Sequence, residues 1–179
     1  YWRDWSSDVC SSDLGNMSTW MLSQCYMSAS YVAFNIHRSP VTVGNMSTWT
    51  LSQCNMTSSS YAFYISSSPV TVGNMSTWTL SQCYMTSTSS VAFYIASSPV
   101  TVGNMSTWSV WGGRFSGSLG SGYGVMTFDN SNLTVGEYSW VSWVLLNLIA
   151  TAAGASCIAS RSSSSYIRLV SPTAYMTFA

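Results

Sequence analysis

Three cysteines are the first residues of this sequence that could do chemistry, because Cys25, Cys54 and Cys83 recur at a constant interval. If the fold brings equivalent positions together, the thiols form a ladder suited to metal binding or to disulfides. The competing interpretation is a small buried apolar residue that recurs with its unit, as free cysteine often does. Zinc sites use closely spaced cysteine pairs with histidine, and the sequence has no Cys-x-x-Cys pair. We therefore favour buried thiols and expect no metal or cofactor.

The other groups with catalytic potential are isolated in the sequence. His37 is the single histidine, and we interpret it as a surface substitution and not as half of a dyad with Cys157. Paired-carboxylate catalysis needs two acids at one cleft, whereas Asp129 and Glu137 are separated by a turn-rich segment. The glycine-rich run at 117–124 has no following Lys-Ser/Thr, which excludes a phosphate-binding loop. The sequence predicts no enzymatic activity.

A repeated hexapeptide organises the positions of these residues. Gly-Asn-Met-Ser-Thr-Trp begins at Gly15, Gly44, Gly73 and Gly103, so that successive copies start about 29–30 residues apart. Self-similarity at a fixed period of this size is typical of repeat architectures, which form shafts and surfaces. The period indicates a tandem array over residues 15–110.

Each repeat has the pattern of short strands. A proline precedes Val-Thr-Val-Gly in each copy, and alternation sends both valines of that segment to one face. Trp49 and Leu51 continue the two-residue period, but Cys54 and Met56 have the opposite parity, which predicts a bulge or a change of sheet. No window has the apolar spacing of a helix. We expect an all-β fold with two or three strands in each repeat of about 29–30 residues.

The pattern changes after Trp108. A glycine-rich stretch follows, and strand character then resumes from residue 125 with turn residues near Asn130 and Gly136. We predict a small C-terminal β module over residues 111–179.

The first residues have a different origin from the array. Arg3 to Leu14 resembles the conceptual translation of a common sequencing adapter, so residues 1–14 are expected to be artefactual and disordered. On this interpretation the natural part of the sequence begins near Gly15, within the repeat array and not at its start.

One segment permits a different interpretation. Residues 141–159 carry no charge and are long enough to cross a bilayer as a helix. Asn147 near the middle and the strand-like flanks favour two buried strands joined at 151–156 instead. The membrane helix is kept as the alternative, and it would make the protein a surface-anchored repeat adhesin.

Composition narrows the classes of partner. Only 6% of the residues are charged, 47% are hydrophobic, 15% are aromatic, and the chain has no lysine. Nucleic-acid binding requires clustered Lys and Arg, so it is excluded. Disorder goes with low hydrophobicity and high net charge, so the array should fold. Such a weakly charged monomer is poorly soluble, which predicts self-association.

Taken together, the Ser/Thr/aromatic repeats over 81–108, the Trp111-Gly-Gly-Arg segment and Leu133-Thr-Val-Gly-Glu-Tyr resemble bacteriophage tail-fibre virion proteins. The run 145–165, rich in Ala and Ser, departs from that pattern, as a local frameshift would. The resemblance implies a non-enzymatic homotrimeric fibre of the virion with a receptor-binding tip. A contact with a cell-surface glycan is assigned to Trp111, Arg114, Phe115 and Tyr123. A third interpretation is a fragment of a secreted hydrolase that lacks its catalytic part.

Overall fold

The structure, a computed structural model, describes residues 13–117, 124–144, 147–150, 156–161, 167–169 and 175–178. Side chains are described for residues 15–117 and 126–142. Over these residues the secondary structure consists of 22 strands, and no helix occurs. The prediction of an all-β fold made of tandem repeats is confirmed.

The strands follow one another in groups of four, one group for each turn of the chain. The first turn has β1 (Asp13–Leu14), β2 (Thr19–Ser23), β3 (Tyr26–Ala29) and β4 (Val32–His37). The second has β5 (Val41–Val43), β6 (Thr48–Ser52), β7 (Asn55–Ser58) and β8 (Tyr61–Ser66). The third has β9 (Val70–Val72), β10 (Thr77–Ser81), β11 (Tyr84–Ser87) and β12 (Phe93–Ala96). The fourth has β13 (Val100–Val102), β14 (Thr107–Trp111), β15 (Arg114–Gly117) and β16 (Gly124–Asp129).

The same succession continues in the C-terminal part of the chain. The fifth turn has β17 (Leu133–Val135), β18 (Trp140–Val144), β19 (Asn147–Ala150) and β20 (Ser156–Arg161), and β21 (Ile167–Leu169) and β22 (Tyr175–Phe178) follow. A repeat therefore contains four strands, whereas the sequence predicted two or three.

Every strand pairs with its equivalent in the neighbouring turn. The four sheets have the orders β1-β5-β9-β13-β17-β21, β2-β6-β10-β14-β18-β22, β19-β15-β11-β7-β3 and β20-β16-β12-β8-β4. All pairs are parallel, and the register places equivalent residues of neighbouring repeats side by side, as with Trp78 between Trp49 and Trp108. Four parallel sheets built from successive turns of one chain form a β-solenoid.

Three corners of the turn are made by residues in the left-handed region. In the third turn these residues are Met75 (φ 54°), Gln82 (φ 52°) and Ser97 (φ 49°), and equivalents occupy the same positions in other turns. At Gln82 the chain leaves β10 for β11, which is why inward positions change parity there. The sequence left open a bulge or a change of sheet at this point, and the structure has the change of sheet.

The interior is a set of stacked identical side chains. Trp49, Trp78 and Trp108 are buried, and the ring centroids of the last two lie 4.9 Å apart with planes 9° from parallel. Phe63 stacks on Phe93 at 4.8 Å, with an interplanar angle of 3°. Complete burial of one such phenylalanine stabilises the fold by about 1.5–3 kcal/mol. Because each turn covers the apolar face of the next, a single chain buries its own core.

Buried serines satisfy the backbone at two corners. Ser76 lies just before β10, and its Oγ accepts a hydrogen bond from the Ser47 amide at 3.1 Å and donates to the Gly44 carbonyl at 2.5 Å. The Ser76 amide in turn donates to Ser106 Oγ at 3.1 Å. Ser68 and Ser98 form an equivalent ladder at the corner before the valine strands. At these corners the serine hydroxyls therefore supply hydrogen bonds to backbone amides and carbonyls that have no partner in the sheets.

The described strands run through the predicted boundary between residues 110 and 111. Strand β14 pairs with β18 and β15 pairs with β19 in the sheets that hold the earlier turns. The change of sequence pattern after Trp108 thus occurs without a change of architecture in the described part of residues 111–179. Backbone pairing requires little of the side chains, which explains how a different sequence continues the same sheets.

Two further expectations differ from the structure. Residues 13 and 14, expected to be disordered with the rest of 1–14, form β1 and pair with β5, because a strand edge accepts any extended backbone. Residues 1–12 lie outside the described part. Within 141–159, the sequence favoured two strands joined at 151–156, whereas residues 141–144, 147–150 and 156–159 belong to three strands in three different sheets. These residues do not form the alternative membrane helix either. The described residues contain no helix long and apolar enough to span a membrane.

The tight stacking of glycines at one corner predicts a position-dependent cost of substitution. A Cβ on Gly103 would lie 2.8 Å from backbone atoms of Gly73 and Val72, whereas a Cβ on Gly15 meets only Ser18 Oγ at 4.0 Å. We expect Gly103→Ala to lower the free energy of unfolding by about 1–3 kcal/mol. The matched variant Gly15→Ala should change it by less than about 0.5 kcal/mol. Urea denaturation of both variants checks this, and equal costs would contradict the stacked geometry.

Candidate functional site

Outward side chains of the four sheets form the surface on which any partner must dock. On the second sheet the first two outward residues of β6, β10 and β14 are small hydroxyl residues aligned in two rows, and the third outward position holds Ser52, Ser81 and Trp111. We call this surface the threonine face, and it consists of Thr48, Thr50, Thr77, Thr79, Thr107 and Ser109. Each of its side chains is half-buried.

Two of the residues predicted for glycan contact flank one corner of the fourth turn. Trp111 ends β14 with 45% of its surface exposed, and Arg114 begins β15 with an exposed side chain. Gly112, with φ +64°, makes the left-handed corner between them. An exposed indole and an exposed guanidinium on either side of one corner can stack on a sugar ring and hydrogen-bond its hydroxyls.

The other two residues predicted for this contact are not part of it. Phe115 is fully buried, because it takes the inward position that Met85 holds in the preceding turn. Its side chain packs at 6.2 Å from the ring of Phe93 and belongs to the core. Tyr123 lies outside the described residues.

The sequence reading missed one aromatic residue at this corner. Tyr84 lies directly beside Arg114 in the neighbouring strand, and 54% of its surface is exposed. One repeat period separates Tyr84 from Arg114 in the sequence, so alignment of the repeats could have found it. Tyr84, Trp111 and Arg114 together form what we call the aromatic corner.

A second aromatic group lies on the fourth sheet. Tyr61 stacks against Tyr64 at 4.7 Å and Tyr94 at 4.9 Å, and Tyr31 meets Tyr61 edge-on at 6.0 Å. The hydroxyl of Tyr94 donates a hydrogen bond to Asp129 Oδ2 at 2.7 Å. Burial raises the pKa of the Tyr61 phenol, with the neighbouring Tyr31 adding to the effect. These rings pack against one another, which makes the group a structural cluster.

The repeated cysteines form a stacked ladder of free thiols. Cys54 and Cys83 are buried, and Cys25 is half-buried at the end of the row. The Sγ of Cys83 donates to the carbonyl of Leu51 at 3.6 Å, and Cys54 makes the same contact with Leu22. The hydrogen bond with Cys54, together with burial, raises the pKa of the Cys83 thiol above its ordinary value. The expectation of buried apolar thiols agrees with this arrangement.

The fold separates the groups that could have formed a catalytic pair. His37 ends β4 and Cys157 lies in β20, at opposite edges of one five-stranded sheet. Four strand intervals place these strands about 19 Å apart, which excludes a dyad. Asp129 ends β16, while the Glu137 amide donates to Asn104 Oδ1 at 2.9 Å at a different corner. Among the described residues, no group of three His, Cys, Asp or Glu could hold a metal ion.

Comparison with known proteins assigns no family to this solenoid. No family model, no curated protein and no solved structure matches the chain. Function must therefore be argued from the geometry of the surface.

The depth of the cysteine ladder predicts an order of chemical reactivity. In the folded chain, iodoacetamide should alkylate Cys25 first. Cys54 and Cys83 are only 0% and 1% exposed, so the reagent reaches their thiols only when the turn opens locally. Peptide mapping by mass spectrometry at successive times measures this order, and the urea-unfolded chain, in which all three should react at similar rates, is the control. Modification of Cys83 as fast as Cys25 in the native chain would contradict the buried ladder.

Proposed function

We propose that this chain is a non-enzymatic structural and adhesive protein, a shaft of the phage tail-fibre type that presents a receptor-contacting surface. The observation that carries the proposal is the in-register stacking of successive turns, each paired along all four sheets to the next. An architecture of this kind extends in one direction by addition of repeats, which suits a spacer.

The geometry sets how such a shaft grows. Neighbouring strands lie about 4.8 Å apart, so each repeat adds about that length to the axis. The six strands of the first sheet span five intervals, about 24 Å. A long fibre on this plan needs many repeats or the association of several chains. Ring contacts between neighbouring turns and the buried serine ladders make the short unit stiff.

A line of exposed apolar side chains supports self-association. The left-handed corner after each valine strand directs a large side chain outward, so that one apolar residue from each turn follows another along the axis. We call this line the methionine stripe, and it consists of Met17, Met46, Met75, Met105 and Tyr138. Between 50% and 74% of each residue is exposed. A continuous apolar patch on a weakly charged surface is typical of protein–protein interfaces. We assign the stripe to the contact between chains of a homotrimer.

The receptor contact is assigned to the aromatic corner. Tyr84 and Trp111 offer ring faces for sugar stacking, and Arg114 offers fixed donors to hydroxyl or carboxylate oxygens. This assignment keeps Trp111 and Arg114 from the sequence prediction and replaces the buried Phe115 with Tyr84. A surface glycan of a bacterial cell is the partner we propose, and the virion is the proposed location.

The trimer can be tested by light scattering of the purified full chain after size-exclusion chromatography. We expect a mass three times that of the 19.5 kDa chain. Met75→Lys should shift the population towards monomer, because it places a charge in an apolar contact. Thr71→Lys places the same charge on an exposed position of β9 and should leave the trimer intact. A stable wild-type monomer at micromolar concentration would overturn the proposed assembly.

The receptor contact can be tested on an array of immobilised bacterial surface polysaccharides. We expect the full chain to bind a subset of these glycans, and Arg114→Ala or Trp111→Ala to weaken binding at least tenfold through loss of about 1.4 kcal/mol or more. Trp140→Ala removes an indole that is 52% exposed away from this corner, and it should bind as the wild type does. Equal loss in all three variants would show that the aromatic corner is not the contact.

A further inference from the structure

The threonine face is a regular surface of the molecule, and neither the methionine stripe nor the aromatic corner includes any of its residues. Thr77 lies between Thr48 and Thr107 in one row, and Thr79 lies between Thr50 and Ser109 in the next. The two rows run together over three successive turns in register, and each continues for one further residue at one end, the first at Thr19 and the second at Ser142. None of the six side chains carries a charge.

The backbone fixes the spacing of these hydroxyl groups. Along a row the repeat equals the distance between strands, about 4.7–4.9 Å. Across the rows, residues i and i+2 of one strand are separated by about 6.6–6.8 Å. The face is thus a two-dimensional mesh of hydroxyl and methyl groups, and the ligand that such a mesh fits best is itself periodic in two dimensions.

Rigid packing holds the mesh in place from below. The residue between the two outward hydroxyl residues of each strand is Trp49, Trp78 or Trp108, and all three indoles are buried. Trp78 stacks on Trp108, and Trp49 meets Trp78 edge-on at 5.2 Å. The buried Ser76 pins the start of β10 to the neighbouring turns through the hydrogen bonds described above. Threonine is itself stiff at χ1, and Thr79 Oγ1 lies 3.0 Å from Ser109 Oγ. Little side-chain entropy remains to be lost when a ligand docks.

The chemistry of the face matches that of water. A threonine hydroxyl both donates and accepts hydrogen bonds, as a water molecule does, and its methyl group adds a small apolar surface beside it. A charged ligand finds no counter-charge on these six residues. None of the six offers an aromatic ring on which a sugar could stack, and Trp111, two residues beyond Ser109 at the end of β14, belongs to the aromatic corner. Water molecules that the regular mesh already holds lose little further entropy when they join an ordered lattice of water.

We propose that the threonine face binds crystalline water, so that the chain adsorbs to ice. Large side chains mark the limits of the site. Met21, 62% exposed, takes the place of a threonine beside Thr50, and Trp140, 52% exposed, takes the corresponding place beside Thr107. The site therefore comprises three turns. Every further repeat with Thr-x-Thr in this strand would enlarge it.

Ice affinity of the full chain tests the proposal directly. The chain, with a fluorescent dye at its amino terminus, is allowed to partition between liquid and a slowly growing ice hemisphere. Single ice crystals are observed in parallel for faceting near their melting point. We expect the wild type to enter the ice and to shape the crystals, and we expect Thr79→Lys to abolish both effects, because a long charged side chain at the centre of the mesh holds the lattice away.

Matched variants separate this site from general surface effects. Thr71→Lys makes the same change on the neighbouring sheet and should retain ice adsorption. Thr50→Lys makes the change in the adjacent turn and should abolish ice adsorption as Thr79→Lys does. If one of the two variants folds poorly, the other still tests the site. Circular dichroism and thermal unfolding of every variant verify that the solenoid is intact.

Three outcomes would overturn the proposal. The first is exclusion of the wild-type chain from ice, and the second is equal loss in Thr71→Lys and Thr79→Lys. The third is binding to microcrystalline cellulose or chitin in place of ice, with the same sensitivity to Thr79→Lys, which would assign the face to an insoluble polysaccharide.

Discussion

Parallel pairing of each strand with its equivalent one turn away is the constraint on which the rest of this structure depends. It aligns every residue with a copy one period along the chain, so any property of one residue becomes a property of a whole row. Rows of tryptophan and phenylalanine become the core, and rows of serine become buried hydrogen-bond ladders. Rows of asparagine become a surface ladder, in which Asn45 Oδ1 accepts from the Asn74 amide at 2.8 Å. Exposed sites follow the same rule. Each one either recurs in every turn or lies where one turn differs in sequence from the others.

Two of the three surfaces assigned to partners illustrate these two cases. The threonine face exists because the sequence repeats, while the aromatic corner exists because it does not. Trp111 stands where earlier turns have Ser52 and Ser81, and Arg114 stands in a row with Tyr84. The methionine stripe follows from the corner geometry, because a left-handed residue at that position sends its side chain into solvent in every turn. A repeated surface suits a repeating partner, and a single deviation suits a localised one.

The strand pattern and the change of parity at Gln53 could be predicted from the sequence, because alternation of apolar residues records which side chains point inward. The number of strands per turn could not, since three-residue strands such as β5 leave too short a pattern to distinguish from a corner. The buried position of Phe115 was missed for a related reason. Its inward direction follows from alignment with Met85 and not from its own glycine-rich surroundings. Tyr84 was missed because its neighbour Arg114 is distant in sequence and adjacent only through the period.

Near-identity of the turns also creates an ambiguity that the fold must resolve. A strand such as β6 could pair with almost equal stability against any equivalent strand, in this chain or in another, so the energy gap to shifted arrangements is small. Irregular positions lift this degeneracy. The extra residue in the third turn, absorbed at the exposed Thr88 and Ser89, and the hydrogen bond between Tyr94 and Asp129 each fit one alignment only. The irregular positions of the repeat thus determine which turn pairs with which, and so fix the order of the turns in the stack.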